Sequence, residues 1–188
     1  MSVAAVILAA GASTRLGRPK QTLEIAGESL VERAVRVAEE AGCTPIIVVI
    51  SSESDFGDRL QQRGCRIVVN PDAAQGMAWS IRWGIRFAQA LNAQGAIIMT
   101  CDQPGLQPEH LRALSVDANE ITGSEYAGRV GVPAYFPRAA FDALQVLEGD
   151  AGARELLRGM KSIPQEALAL DIDTEEDFRR AKALFDLL

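Results

Sequence analysis

Four short apolar runs separated by helix-like segments predict an α/β chain with a mostly parallel central sheet and helices on both faces. Two observations carry this reading. The runs at 3–8, 45–50, 66–69 and 96–100 are apolar along nearly their whole length instead of alternating, the pattern of parallel strands buried on both sides. Between them, apolar residues recur at helical spacing, so each strand–helix–strand unit returns the chain to the same sheet.

The elements follow in order. Val3 to Leu8 is the first strand. Ser29-Leu30-Val31-Glu32 has capping-box spacing and opens a helix whose Leu30, Ala34, Val35, Ala38 and Ala41 share one face before Gly42 stops it. Pro45 to Ile50 and Arg66 to Val69 are the next strands. Met77, Ile81, Ile85, Ala88 and Leu91 then mark a second helix that ends before Asn92, and Ala96 to Thr100 is the fourth strand. Thr174-Glu175-Glu176-Asp177 has the form of a cap opening a last helix.

Composition bounds what such a fold does. The chain has 188 residues, 48% of them hydrophobic and 23% charged, and no linker-like stretch or repeat divides it, so one domain spanning 1–188 is expected. A net charge of -6 argues against nucleic-acid and membrane-surface partners, which call for a positive field. Cys43, Cys65 and Cys101 are widely spaced and His110 is the single histidine, which excludes most zinc sites. Cys101 reads as a small buried hydrophobe. No basic N-terminal segment precedes a long apolar run, and the cysteine usage suits a reducing, cytoplasmic location.

Ligands of open α/β sheets bind beyond the carboxyl ends of the strands, and three of these ends carry chemistry. After the first strand, Leu8-Ala9-Ala10-Gly11-Ala12-Ser13 is a run of small residues that lets backbone N–H groups approach an anion, and Arg15 and Lys20 add positive charge on either side of Gly17. The spacing matches neither a Walker A loop nor a dinucleotide fingerprint, which leaves a triphosphate cradle or an ordinary strand-to-helix connection. The third strand ends in Asn70-Pro71 and leads to Gln75-Gly76-Met77-Ala78-Trp79-Ser80. The fourth ends in Thr100-Cys101-Asp102-Gln103-Pro104, where Asp102 is either a turn aspartate or a carboxylate holding Mg²⁺ against a triphosphate.

These stretches, together with Gly131-Val132-Pro133, Gly149-Asp150-Ala151-Gly152-Ala153-Arg154 and Asp171-Ile172-Asp173-Thr174, resemble the MobA-like nucleotidyltransferases over nearly the whole chain, in particular their molybdenum cofactor cytidylyltransferase branch. The resemblance implies a Rossmann-like three-layer fold. It also implies Mg²⁺-dependent transfer of a nucleoside monophosphate from a nucleoside triphosphate to the phosphate of molybdopterin or a related small molecule, with release of pyrophosphate. Arg15 and Lys20 then neutralise the phosphates, which is most of what phosphoryl transfer asks of a protein. Asp102 and, by carry-over, Asp173 hold the metal, with Asp171 the weaker candidate of that pair.

By the same resemblance, Asn70, Gly76 and Ser80 contact base and ribose, and Ala10 favours CTP over GTP. Gly131, Pro133, Gly152 and Arg154 face the acceptor, and a molybdoenzyme or its chaperone is an expected contact. Val132 stands where members that use molybdopterin commonly show histidine. Trp79 and Trp83, four apart on a helix, suit core or interface better than a ligand face. A sugar-1-phosphate nucleotidylyltransferase and a non-catalytic nucleotide sensor or cofactor chaperone are the other readings; the pair Asp102 and Asp173 favours the enzyme.

Overall fold

A computed structural model describes residues 2–11, 13, 15–52, 55–150 and 152–186. The large sheet contains β1 (Val3–Leu8), β4 (Ile46–Ile50), β5 (Arg66–Val69), β6 (Gly95–Thr100), β7 (Thr122–Tyr126), β8 (Arg129–Pro137) and β9 (Lys161–Pro164), and the short strands β2 (Glu24–Ile25) and β3 (Glu28–Ser29) pair separately. The helices are α1 (Leu30–Glu40), α2 (Asp55–Gln62), α3 (Met77–Ala90), α4 (Pro108–Leu114), α5 (Phe141–Gln145) and α6 (Glu175–Phe185). The sheet order is β5-β4-β1-β6-β8-β7-β9, and β8 alone runs against the others. This is the mostly parallel sheet that the apolar runs predict, in the Rossmann-like form that the resemblance implies.

Alternation along the central strands explains why both faces need helices. In β1, Ala5 and Ile7 join one cluster with Val31, Val35 and Ala38 of α1, while Ala4 and Val6 join another with Ala78, Ile81 and Ile85 of α3. Strands β4 and β6 split in the same way, Val48 and Met99 to the first face, Val49 and Ile98 to the second. Helix α3 lies so close to β1 that a Cβ on Gly84 would sit 2.3 Å from Val6 Cγ1.

A third cluster packs Leu16, Leu23 and Ile25 against Ile172 and Ala181, with Phe178 alongside. It fastens α6 and the chain before it to the end of the phosphate-type loop. Both expected caps form: Ser29 Oγ accepts the Glu32 N–H, and Thr174 Oγ1 accepts the Asp177 N–H at 3.2 Å. Asp173 lies in an irregular segment between a 3-10 turn and α6, where the Ile172 N–H bonds the Asp102 carbonyl at 3.0 Å instead of joining a ladder.

Candidate active site

The loop after β1 continues the sheet for one residue, with the Ala9 N–H bonded to the Val49 carbonyl at 2.8 Å, and then turns away. The Ser13 carbonyl accepts the N–H groups of Leu16 and Gly17, and the Ser13 hydroxyl accepts the Lys20 N–H at 3.0 Å. Leu16 is buried in the third cluster. The loop is therefore clamped at both ends, and Lys20 leaves the following 3-10 turn pointing at the carboxyl end of β6. Ala12 and Thr14 lie outside the described residues.

At that end three carboxylates meet. Asp102, Asp171 and Asp173 each bring an oxygen within 4.8 Å of the others. The Lys20 ammonium contacts Asp102 and lies 3.1 Å from Asp173 Oδ1, and Arg15 Nη1 lies 3.0 Å from Asp173 Oδ2. Extended geometry sends Asp171 and Asp173 to one side while Ile172, between them, is fully buried in the third cluster. That period-two placement is the signal that D-I-D carries for a pair, and the structure puts Asp171 beside Asp102.

Burial, followed by the charge of Asp102, pushes the Asp171 carboxyl up to about 7. Burial works against charge on Lys20, yet Asp102 and its neighbours outweigh it and raise the ammonium above its ordinary value. Lys20 is therefore cationic throughout the physiological range. Burial first, and Asp102 second, pushes the Cys101 thiol up to about 12, so it is not a thiolate nucleophile.

A divalent cation fits this cluster. Its donors are hard oxygens, and Asp102 Oδ1 and Asp171 Oδ1 are buried without a hydrogen-bond partner among the described residues. Asp102, Asp171 and Asp173 would hold it.

Two clefts adjoin the cluster. The first, of about 440 Å³, runs along Leu8, Ala9, Ala10 and Gly11 to Gly76 and Ser80. The second, of about 480 Å³, is bounded by Arg15, Gly131, Gly152, Arg154, Asp171 and Asp173. They share Lys20, Met77, Thr100, Asp102 and Asp150. Gly76 is required where it stands: its φ is +114°, and a Cβ there would lie 2.5 Å from Asp150 Oδ1 and 2.7 Å from the Gly149 carbonyl.

Other expected residues sit one layer back. Asn70 is fully buried and lines neither cleft; its Nδ2 donates to Ser80 Oγ at 3.0 Å and its Oδ1 accepts the Asp72 N–H. It positions Ser80. Pro133 is likewise buried, its carbonyl accepting the Ser124 hydroxyl, which in turn faces His110 Nε2 at 2.7 Å. Trp79 carries the Arg82 guanidinium 4.2 Å from its ring centroid, Trp83 packs at the rim of the second core cluster, and neither lines these clefts. Gln21, Tyr126 and Arg129 line the clefts without a motif to announce them, and Gln103 lines the second from within the Asp-Gln-Pro stretch, where it carries no expected role.

Comparison with known proteins identifies the family. The model of the MobA-like NTP transferase domain matches residues 5–167. The chain belongs to that family. Three curated relatives show its spread. The purine catabolism protein PucB of Bacillus subtilis is 31% identical over 92% of each chain. A protein named nicotine blue oxidoreductase, from Paenarthrobacter nicotinovorans, is 32% identical over 95% of each. A probable molybdenum cofactor guanylyltransferase of Opitutus terrae is 27% identical over 90% of this chain and 79% of that one. Among solved structures, Rv0371c of Mycobacterium tuberculosis in complex with manganese matches with a TM-score of 0.76 at 27% identity, over 97% of this chain and 99% of that one. This chain is thus a MobA-like nucleotidyltransferase, and a structural neighbour holds a divalent metal.

Proposed function

We propose that the protein transfers the cytidylyl group of CTP to the phosphate of molybdopterin, or of its molybdenum-bound form, with Mg²⁺, releasing pyrophosphate. The observation that carries this reading is the junction: two ligand-sized clefts meet along one wall made by Lys20 and Asp102. A reaction that joins a nucleotide to a second small molecule needs that geometry.

In this reading the first cleft takes the nucleotide. Small side chains at Ala9, Ala10 and Gly11 let the loop backbone approach the base and phosphates, with Gly76 and Ser80 opposite. Lys20 and Arg15 leave their carboxylates to neutralise charge growing on the phosphates as the acceptor oxygen attacks in line. Asp102, Asp171 and Asp173 hold Mg²⁺, which when bound supplies Lewis-acid charge neutralisation. The second cleft seats the acceptor against Gly131, Gly152 and Arg154, with Pro133 fixing the wall behind. All 188 residues serve as one catalytic unit. Three free, buried cysteines suit a reducing cytoplasm, and handover of product implies contact with a molybdoenzyme or its chaperone.

CTP rests on Ala10 alone, and one small group is worth about 1–3 kcal/mol of discrimination. Val132 in place of histidine leaves a sugar phosphate or other phosphorylated acceptor as the second reading. A nucleotide sensor is disfavoured by three carboxylates gathered at the junction. Pyrophosphate release measured with each of CTP, GTP, ATP and UTP, in Mg²⁺ with molybdenum-bound molybdopterin, tests the proposal. Release fastest with CTP is expected. Nucleotide binding without release from any of the four supports the sensor and rejects the enzyme.

A further inference from the structure

Helix α3 has two sides of different character. Its inner side, Ala78, Ile81, Ile85 and Ala88, packs on the sheet. Its outer side carries Trp79, Trp83 and Phe87, and Leu91 caps its end. Each is four residues from the next, so at 3.6 residues per turn they form one continuous ridge. The tryptophans are half-buried, while Phe87 and Leu91 keep 39% and 40% of their surface exposed. None of the four lines either cleft. Single exposed apolar residues are ordinary on a protein surface, but a row of three aromatics and a leucine marks a contact face.

The ridge has a cationic flank. Arg82 and Arg86, one turn apart, hold their guanidinium groups 4.2 Å and 6.0 Å from the ring centroids of Trp79 and Trp83. Neither forms an ion pair among the described residues, and α3 contains no acidic residue. Tryptophan and arginine are the residues that protein interfaces concentrate, and acids are depleted there.

Charge selects the occupant. A second copy related by a two-fold axis would set the ridge against itself and bring arginine towards arginine, with no acid on α3 to meet them. A membrane surface calls for a cluster of about four to eight cations, and a net charge of -6 opposes an anionic bilayer. A ridge of residues four apart fits the groove of another helix. We propose that the outer face of α3 docks an amphipathic helix of another protein, whose apolar stripe lies along Trp79, Trp83 and Phe87 and whose acidic flank pairs with Arg82 and Arg86. Met77 and Ser80 at the start of the same helix line the clefts, so the docked partner sits beside them. Docking here requires no particular chemistry in the clefts.

Trp79 and Trp83 are the only tryptophans of the chain, so its tryptophan emission reports on this face alone. Titration of the full chain with a synthetic amphipathic helix of about 20 residues, built from Leu, Phe, Ala and Glu, is expected to shift that emission to shorter wavelength. The same peptide with Lys in place of each Glu should bind at least about tenfold more weakly, and about 0.5 M NaCl should narrow the difference. Arg82→Glu combined with Arg86→Glu should reverse the order of the two peptides, and Phe87→Ala should weaken the Glu peptide about tenfold. Arg82 and Arg86 lie outside the core clusters, so their variant keeps the test decisive if Phe87→Ala fails to fold. No shift with either peptide, equal affinity for both, or an order that survives the arginine exchange overturns the inference. A dimer seen by sedimentation and abolished by Phe87→Ala gives the face to a second copy and also overturns it, as does a shift produced by phosphatidylserine vesicles but not by the Glu peptide.

Discussion

The two clefts that meet at Lys20 and Asp102 are built from different materials. The cleft proposed for the nucleotide is largely backbone and small side chains, Leu8 to Gly11 at the end of β1 and Gly76 at the start of α3. The cleft proposed for the acceptor is mostly side chains, Arg129, Tyr126, Arg154 and Gln103, carried by a hairpin, a 3-10 turn and a strand end. Backbone N–H groups and small residues suit what all nucleoside triphosphates share. Side chains on a hairpin change one at a time, which suits a family whose curated relatives carry names as unlike as purine catabolism protein and molybdenum cofactor guanylyltransferase.

The largest effect should come from the shared wall. Lys20→Met removes the ammonium that contacts Asp102 and Asp173, and kcat/KM for both substrates should fall about a hundred- to a thousandfold. If only one substrate's kinetics change, the clefts do not meet in function. Gly76→Ala comes next. The strained φ and the contact with Asp150 and the Gly149 carbonyl predict a loss of about 1–3 kcal/mol in stability, measured by urea unfolding, with a higher KM for nucleotide and little change for acceptor. An equal rise in both KM values would say that the loop at 149–150 serves the two clefts alike.

A smaller effect separates the acceptor wall from the rest. The Ser124 hydroxyl donates to Pro133, so His110 Nε2 carries the proton it gives to Ser124. Burial holds the His110 pKa below its ordinary value of 6.5. The unfolded chain then binds the proton more readily, so this contribution to stability is complete above pH 6.5 and is lost as pH falls toward the folded pKa, at no more than about 1.4 kcal/mol per pH unit. Urea midpoints at pH 7.5 and 5.5 should differ more in the wild type than in His110→Gln. Equal differences would remove His110 from the account. The smallest change is expected for Ala10→Gly, which should alter the preference between CTP and GTP by about tenfold or less.

The half of the fold that was legible is the half with uninterrupted apolar strands. Strands β1, β4 and β6 announce themselves because both faces are buried; β5, expected to be buried on both sides as well, is instead an edge strand with Arg66 and Val69 exposed. Strand β7, Thr-Gly-Ser-Glu-Tyr, does not announce itself, since its residues are mostly polar and its register with β8 shifts between Gly123 and Ser124. The same asymmetry runs through the site. Lys20 and Asp102 were readable as charges at turn-rich element ends and Asp173 came by carry-over from the resemblance, whereas Arg129 and Tyr126 become neighbours only through the pairing of β7 with β8. Asn70 sits at the strand end that its Asn-Pro step suggests, yet it faces Ser80 instead of either cleft. Nothing local in the sequence says which way its side chain turns.

The junction itself is most directly tested by Asp102→Asn, which keeps the shape of the side chain and removes its charge. Pyrophosphate release with CTP, Mg²⁺ and molybdenum-bound molybdopterin should fall about a thousandfold or more from a protein that circular dichroism shows to be folded. Release at the wild-type rate from a folded Asp102→Asn protein would contradict the assignment of the shared wall as the place of transfer.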